Sequence, residues 1–245
     1  MNRLTQVQHA DQILGLPASH FSIQHRHLNH EEFEHLLRVL GAYWRMPPGN
    51  PEAPHVELSS LEHSNLFLNV ATLLTFPNVT DMLASAMVHM VREVFPQKID
   101  WVVGSDHSGA AITFAIARIL GARAEFFEKS VVDGRKVQLW KRQQIQRGET
   151  VLFVEELTTT LGTVEQMFEG FARGNLETPT IVPLVPVIVD RTGAKNLLVH
   201  GRPIKALYTY PDARSWKANE CGFCPTSPLV KKPRDNWKYL MTHCA

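Results

Sequence analysis

The sequence predicts an α/β fold, a parallel sheet flanked by helices, and three observations point to it. Residues 99–103 (Ile-Asp-Trp-Val-Val) read as a strand, 110–120 as an Ala- and Ile-rich buried helix closed by Gly121, and 122–127 as a second strand. Such a βαβ unit requires a parallel pair with a right-handed crossover. Residues 151–154 (Val-Leu-Phe-Val) form a short apolar run, followed by a polar turn and a helix carrying Val164, Met167, Phe168 and Phe171 on one face and ending near Gly174. With 245 residues the chain can bury a large core in one α/β domain of ordinary size.

Charge and composition narrow the class of partner. Lys and Arg number 25 against 24 Asp and Glu, a formal charge of +1 with no block of like charges, which argues against a nucleic-acid groove or a membrane surface and for a small molecule. No apolar run approaches the roughly 18 residues of a membrane span, and the first residues, Met1-Asn-Arg-Leu-Thr-Gln, lack the apolar core of a signal peptide, so a cytoplasmic location is expected. Three cysteines, Cys221, Cys224 and Cys244, do not make a secreted disulfide framework.

In chain order, residues 1–28 read as an irregular or partly helical leader, and Asn29 to Glu32 as a capping box opening a helix through Phe33, Leu36, Leu37, Leu40 and Trp44. The proline-rich stretch 46–54 reads as a linker, which sets the expected organisation as 1–54 leader and linker, 55–215 α/β domain and 216–245 strap. His25, His27, His30 and His35 lack ligand spacing and read as solvated. Alternation at 66–70 predicts a strand or hairpin, and Pro77 opens a helix with Leu83, Met87, Met90, Val91 and Phe95 on one stripe, ended by Pro96. Residues 129–149, polar and basic with glycine hinges, read as a mobile flap. The run 181–189 reads as a strand that is at an edge or bulged, because it carries Pro183 and Pro186, and 204–210 is a last apolar segment.

Two βα turns then stand at carboxyl ends of strands in one sheet, residues 104–109 and 155–163, where open α/β sheets bind ligands. In the second turn, hydroxyls and backbone N–H groups converge at a helix N-terminus, which favours an anion, whereas Glu155 and Glu156 suit sugar hydroxyls or a bound cation. A phosphorylated sugar satisfies both halves.

This arrangement resembles the type I phosphoribosyltransferases, and within them the orotate phosphoribosyltransferase-like branch. The resemblance rests on 151–163 (Val-Leu-Phe-Val-Glu-Glu-Leu-Thr-Thr-Thr-Leu-Gly-Thr), on 103–109 (Val-Gly-Ser-Asp-His-Ser-Gly), on Glu62 to Asn65 with Phe67 to Asn69, on Glu128-Lys129 and on Val189-Asp-Arg191, all in colinear order. It implies the family's parallel sheet with an N-terminal hood segment and a C-terminal extension, and transfer of the 5-phosphoribosyl group of phosphoribosyl pyrophosphate to a nucleobase, orotate by family, with release of pyrophosphate. It further implies Mg²⁺ as cofactor, a place in pyrimidine nucleotide biosynthesis and a homodimer. By position, Thr159, Thr160, Leu161, Gly162 and Thr163 would hold the 5-phosphate, and Glu155 and Glu156 would meet the ribose hydroxyls. Ser105, Asp106, His107, Ser108 and Gly109 would meet pyrophosphate together with Lys141 and Arg142, with Arg135 and Lys136 as further flap cations. Lys129 would join the two acids as a catalytic group, and Arg191, Phe67 and Asn69 would face the base. No residue is assigned as a metal ligand.

The sequence departs from the family pattern in four places, three single residues and one four-residue run. Leu161 replaces a glycine and would carry roughly 1–2 kcal/mol of strain if the turn needs φ > 0. Glu156 replaces an aspartate, Ser108 replaces a lysine, and Ser59-Ser-Leu-Glu62 stands where a lysine-serine-glycine-arginine run is usual. The alternative is a non-catalytic regulator that binds phosphoribosyl pyrophosphate or a nucleotide on the same fold. In the tail, Cys221-Gly-Phe-Cys224 with His243 and Cys244 reads as free or redox-active thiols ahead of zinc, and Trp216, Phe223 and Trp237 are expected to pin the strap.

Overall fold

A computed structural model describes residues 7–9, 12, 28–50, 52–58 and 60–243. Most of the expected leader, including His25 and His27, falls outside these residues, as do Ser59, Cys244 and the side chain of Ser108. The fold comprises two compact units, one built from Leu28–Leu73 with Pro211–Ala245, the other from Leu74–Tyr210.

The first unit opens with helix α1 (His30–Val39), and both halves of its capping box are made, Asn29 Oδ1 accepting from Glu32 N and Glu32 Oε2 from Asn29 N. The helix stops earlier than its apolar spacing suggests. Gly41 takes a positive φ of 64°, and Trp44 belongs to strand β1 (Tyr43–Arg45). Strands β2 (His55–Glu57), β3 (His63–Ser64) and β4 (Leu66–Leu68) and the short helix α2 (Val70–Leu73) follow, β1 pairing antiparallel with β4.

The second unit holds the main sheet. Helix α3 (Pro77–Val94) buries Leu83, Met87 and Val91 and leaves Met90 half-buried. Strand β5 (Trp101–Gly104), helix α4 (Ser108–Leu120) and strand β6 (Arg123–Phe126) form the expected βαβ unit, and Gly121 closes α4 in the left-handed conformation at φ 65°. After the hairpin β7 (Glu128–Val132) and β8 (Arg135–Leu139) come β9 (Thr150–Thr158), α5 (Gly162–Gly174), β10 (Thr180–Ile181), β11 (Val185–Asp190), β12 (Leu198–Val199) and β13 (Arg202–Thr209). The sheet order is β12-β13-β11-β9-β5-β6, with β10 also on β9. All pairs are parallel except β12 with β13. Val151, Leu152, Phe153 and Val154 are wholly buried, as a strand covered on both faces requires. Phe168 of α5 stacks on Phe153 at 4.2 Å, and Phe171 meets the same ring edge-on at 5.3 Å.

Two expectations gain structure here. The segment read as a flap after Lys129 contains a hairpin: Asp133 and Gly134, at φ 50° and 75°, make a two-residue turn flanked by the pair Val132 and Arg135. Its return strand is seated on α5, where a Cβ on Gly170 would come within 1.9 Å of the Gln138 carbonyl oxygen and one on Gly174 within 2.2 Å of that of Trp140. The proline-bearing run at 181–189 is not at an edge, because β11 lies between β9 and β13. Its interruption falls at exposed Pro183, between β10 and β11, and Pro186 pairs only toward β13.

The chain then returns to the first unit with β14 (Ser215–Trp216), a 3-10 turn at Ala218–Glu220, β15 (Leu229–Val230) and helix α6 (Trp237–Thr242). Its sheet runs β14-β3-β2-β15. Residues 55–68 therefore share their hydrogen bonding with the tail, so the unit boundaries fall at 73/74 and 210/211 in place of 54/55 and 215/216. Trp44, wholly buried, donates its indole N–H to the Leu240 carbonyl at 3.2 Å, Trp216 and Phe223 meet at 5.2 Å, and Phe67 and Trp237 at 6.3 Å.

Candidate functional site

Strands β5 and β9 are neighbours in register, Gly104 opposite Val154. Because they are parallel, both chains leave the sheet at the same end. Ser105 and Glu155 are the next residues on each, and Ser105 Oγ donates to Glu155 Oε1 at 2.9 Å. β9 runs on through Thr158, paired with β11, so the second turn begins at Thr159 and not at Glu155, and this buried hydrogen bond ties the first turn to the strand that leads into the second.

Each turn ends in a helix prepared in the same way. His107, at φ 56°, precedes α4, and Leu161, at φ 63°, precedes α5, and neither side chain caps its helix. Neither cap side chain therefore takes the first N–H groups of these helices, which carry the positive end of the helix dipole. Leu161 does occupy the left-handed region that disfavours a branched side chain, at a cost of about 1–2 kcal/mol. Its side chain is half-buried against the core around Phe153 and Phe168, which offsets that strain. Thr159, Thr160 and Thr163 are exposed around this turn.

Close approach explains two glycines. A Cβ on Gly109 would lie 2.5 Å from Ser105 Oγ and 3.6 Å from Glu155 Oε1, and one on Gly104 would lie 2.1 Å from Thr113 Oγ1, which itself donates to the Gly109 carbonyl at 2.7 Å. Glycine at both positions lets α4 begin directly over the carboxylate.

Glu155 carries a strongly perturbed carboxyl. Its Oε1 also accepts from Glu156 N at 2.8 Å, whereas its Oε2 is buried without a partner among the described residues. Burial, and next the charge of Glu156, push its pKa from 4.5 up to about 7, against the Glu156 N–H, the Ser105 hydroxyl and the Lys129 charge. Among the described residues no ion pair holds it. An oxygen held buried and unpaired beside a second carboxylate suits hydroxyl donors of a ligand and a hard cation such as Mg²⁺. Glu155 and Glu156 are the oxygen donors that fit.

The other expected residues distribute as follows. Lys129 is exposed at the start of β7, where its N–H donates to Asp106 Oδ2 at 3.3 Å, placing that strand beside the 105–109 turn. Lys141 and Arg142 are exposed and pair with Glu128, at 3.1 Å and 2.9 Å. Those two bonds, with the cationic charges, hold the Glu128 carboxyl below its ordinary range. Arg191, buried, follows β11 and donates its N–H to the Thr158 carbonyl at 3.0 Å, so it stands at the same sheet end as Glu155. Thr158 is in the strand and buried, its Oγ1 without a partner among the described residues. Phe67 and Asn69 belong to the other unit, where Asn69 Nδ2 donates to Thr72 Oγ1 at 2.7 Å.

The tail differs from its sequence reading. His243 hydrogen-bonds through Nδ1 with the Tyr239 carbonyl at 2.8 Å, while Cys221 and Cys224 lie beside His55 and His63, which the sequence reading did not connect with them. The signal was present as two histidines eight positions apart flanking a turn, upstream of a CxxC.

No protein-family model matches the chain. The UMP synthase of Leishmania donovani superposes with a TM-score of 0.51 at 17% identity, covering 73% of this chain and 39% of that one, a likeness of fold. Among curated relatives, the orotate phosphoribosyltransferase of Caldicellulosiruptor bescii is 33% identical over 179 residues, which are 73% of this chain and 87% of the relative. That of Caldicellulosiruptor saccharolyticus is 32% identical with the same coverage. The mixed α/β architecture with its mostly parallel central sheet is that of the type I phosphoribosyltransferases. The chain belongs to that family, in its orotate phosphoribosyltransferase-like branch.

Proposed function

We propose that this chain transfers the 5-phosphoribosyl group of phosphoribosyl pyrophosphate to a nucleobase, with orotate the leading acceptor, and releases pyrophosphate. The observation that carries this reading is the buried bond between Ser105 and Glu155, which ties the turn before α4 to the strand that leads into α5, beside a carboxylate oxygen with no partner among the described residues.

In this reading the N–H groups at the start of α5, with Thr159, Thr160 and Thr163, take the 5-phosphate, and the turn before α4 takes pyrophosphate. Glu155 and Glu156 accept from the ribose hydroxyls. Departure of pyrophosphate builds positive charge on the anomeric carbon and negative charge on the leaving group. The carboxylates tolerate the first, and the turn donors with Lys129 stabilise the second, because they are oriented before the reaction begins. Bound Mg²⁺ would supply further positive charge against the pyrophosphate oxygens. No side-chain nucleophile is needed. A bound ligand supplies donors to Glu155 Oε2, so ligand affinity rises with pH as this carboxyl ionises around about 7.

Orotate rests on the names of the relatives and on buried Arg191 at the strand end. Ser108, and Ser59 to Glu62, lack the family's cations, which leaves a neutral base as the second acceptor class. The regulator reading draws on Leu161 and Glu156, but the retained left-handed turn and the oriented acid favour catalysis. Pyrophosphate release from phosphoribosyl pyrophosphate and Mg²⁺ across orotate, uracil and purine bases tests the proposal. Turnover with one base supports it, and tight ligand binding without turnover on any base would replace it with the regulator.

A further inference from the structure

The tail of the first unit carries a cluster that phosphoribosyl transfer does not use. His55 is the first residue of β2 and His63 the first of β3, and the antiparallel register that pairs Glu57 with His63 brings both imidazoles to one place. Their ring centroids are 5.2 Å apart. The turn at 221–224 delivers two thiols to the same spot. One ligand atom from each of His55, His63, Cys221 and Cys224 lies within 4.8 Å of every other. Cys224 Sγ is 3.2 Å from His63 Nδ1 and 3.6 Å from His55 Nε2. A tetrahedral zinc bound at about 2.3 Å to sulfur and 2.0–2.1 Å to nitrogen sets its ligands about 3.3–3.8 Å apart. The 3.6 Å separation falls in that range and the 3.2 Å one just below it, and small side-chain shifts would close the rest of the 4.8 Å spread around an ion.

The surroundings orient the ligands as well. Ser227 donates its hydroxyl hydrogen to the Ala53 carbonyl, so toward His55 it acts as acceptor, taking the Nδ1–H at 2.9 Å. That bond fixes the tautomer with a lone pair on His55 Nε2, the atom facing Cys224, which is the arrangement expected around a metal-bound histidine. Ser227 and both histidines are buried. Phe223 stands 6.0 Å from the His55 ring and closes against Trp216, which is the pairing partner of His63. Two buried imidazoles, buried Cys221 and exposed Cys224 offer a mixed sulfur and nitrogen tetrahedron, which selects zinc over magnesium or calcium.

We propose that His55 Nε2, His63 Nδ1, Cys221 Sγ and Cys224 Sγ form a structural zinc site that clamps the β2-β3 hairpin to the C-terminal strap. All four positions are taken by protein, which leaves none for a substrate and makes the site structural. The ligands lie 161 and 169 residues apart along the chain, so the metal closes a long loop. The sequence-based preference for free thiols is reversed because it weighed His243 and Cys244 and not the two histidines. Binding releases the thiol protons and involves no redox change.

The test is metal analysis of the full-length chain, purified under reducing conditions without added chelator, with thiol reactivity measured in parallel. The expected result is about one zinc per chain, slow thiol modification of Cys221 and Cys224 until a chelator is added, and a lower melting temperature after chelation. Exchange with Co²⁺ should give the intense visible bands of a tetrahedral sulfur and nitrogen site. Those bands should vanish in Cys224→Ser and His63→Ala and persist in His243→Ala. A chain free of metal that also fails to take up Zn²⁺ or Co²⁺, or one holding iron in place of zinc, would overturn the proposal. None of these readouts depends on phosphoribosyl transfer, so the zinc site can fail while that function stands, and the reverse.

Discussion

Replacing Glu155 by glutamine should stabilise the fold at alkaline pH while weakening ligand binding. The substituted amide would keep an acceptor for the Ser105 hydroxyl and the Glu156 N–H but would carry no charge into a buried site beside Glu156. A carboxyl whose pKa rises on folding, here from 4.5 to about 7, stabilises the fold fully below 4.5. That contribution is lost as pH rises through about 7, because the folded state holds the proton longer than the unfolded chain. At 1.36 kcal/mol per pH unit the separation amounts to about 3 kcal/mol. An unpaired amide hydrogen in the variant subtracts a pH-independent part. Urea unfolding of both proteins from pH 4.5 to pH 8.5 should therefore show the difference moving by about 2–3 kcal/mol in favour of Glu155→Gln, nearly all of it below pH 7.5. A difference that stays flat across that range would refute the reasoning, since it would mean that Glu155 is as well solvated folded as unfolded. The same variant should bind phosphoribosyl pyrophosphate and Mg²⁺ more weakly by about tenfold or more.

Other outcomes follow from the same geometry. Leu161→Ala keeps the left-handed strain and loses packing, so calorimetry should show a loss of about 1–2 kcal/mol, whereas Leu161→Gly relieves the strain and should recover about 1 kcal/mol of it. Gly109→Ala places a methyl 2.5 Å from Ser105 Oγ and should reduce turnover about tenfold or more with little change in far-ultraviolet dichroism. Gly170→Ala forces a methyl to 1.9 Å from a backbone oxygen of β8 and should cost about 2–3 kcal/mol in denaturant unfolding while opening the hairpin to proteolysis.

What could be read without coordinates was local chemistry. The capping box at Asn29, the βαβ unit and the helix after Leu161 follow from residue type and spacing, whereas the positive φ at that leucine was raised only as a condition by the family's glycine there. Partners distant in sequence were harder. Trp44 fits the helical stripe of Phe33, Leu36 and Leu37, yet Gly41 ends the helix and the indole goes to the Leu240 carbonyl. Pro186 argued for an edge, but a parallel strand bonds each neighbour through alternate residues, and β11 registers with β9 only from Val187 onward. The Asp133-Gly134 turn was legible and was outweighed by the polar, basic composition around it. At the site, the two turns were found from the motifs they carry, whereas the orphaned Glu155 oxygen, the pairing of Lys141 and Arg142 with Glu128, and the company of His55 and His63 depend on the tertiary fold.

The central claim is that two turns at one end of adjacent strands hold a single phosphorylated sugar. A crystal structure of the chain with phosphoribosyl pyrophosphate and Mg²⁺ tests it most directly. The expected density places the 5-phosphate on residues 159–163 at the start of α5, the pyrophosphate on residues 105–109, and the ribose hydroxyls against Glu155 and Glu156. Ligand bound elsewhere, or a phosphate at α5 with the pyrophosphate turned away from Ser105 and the two acids, would contradict the account.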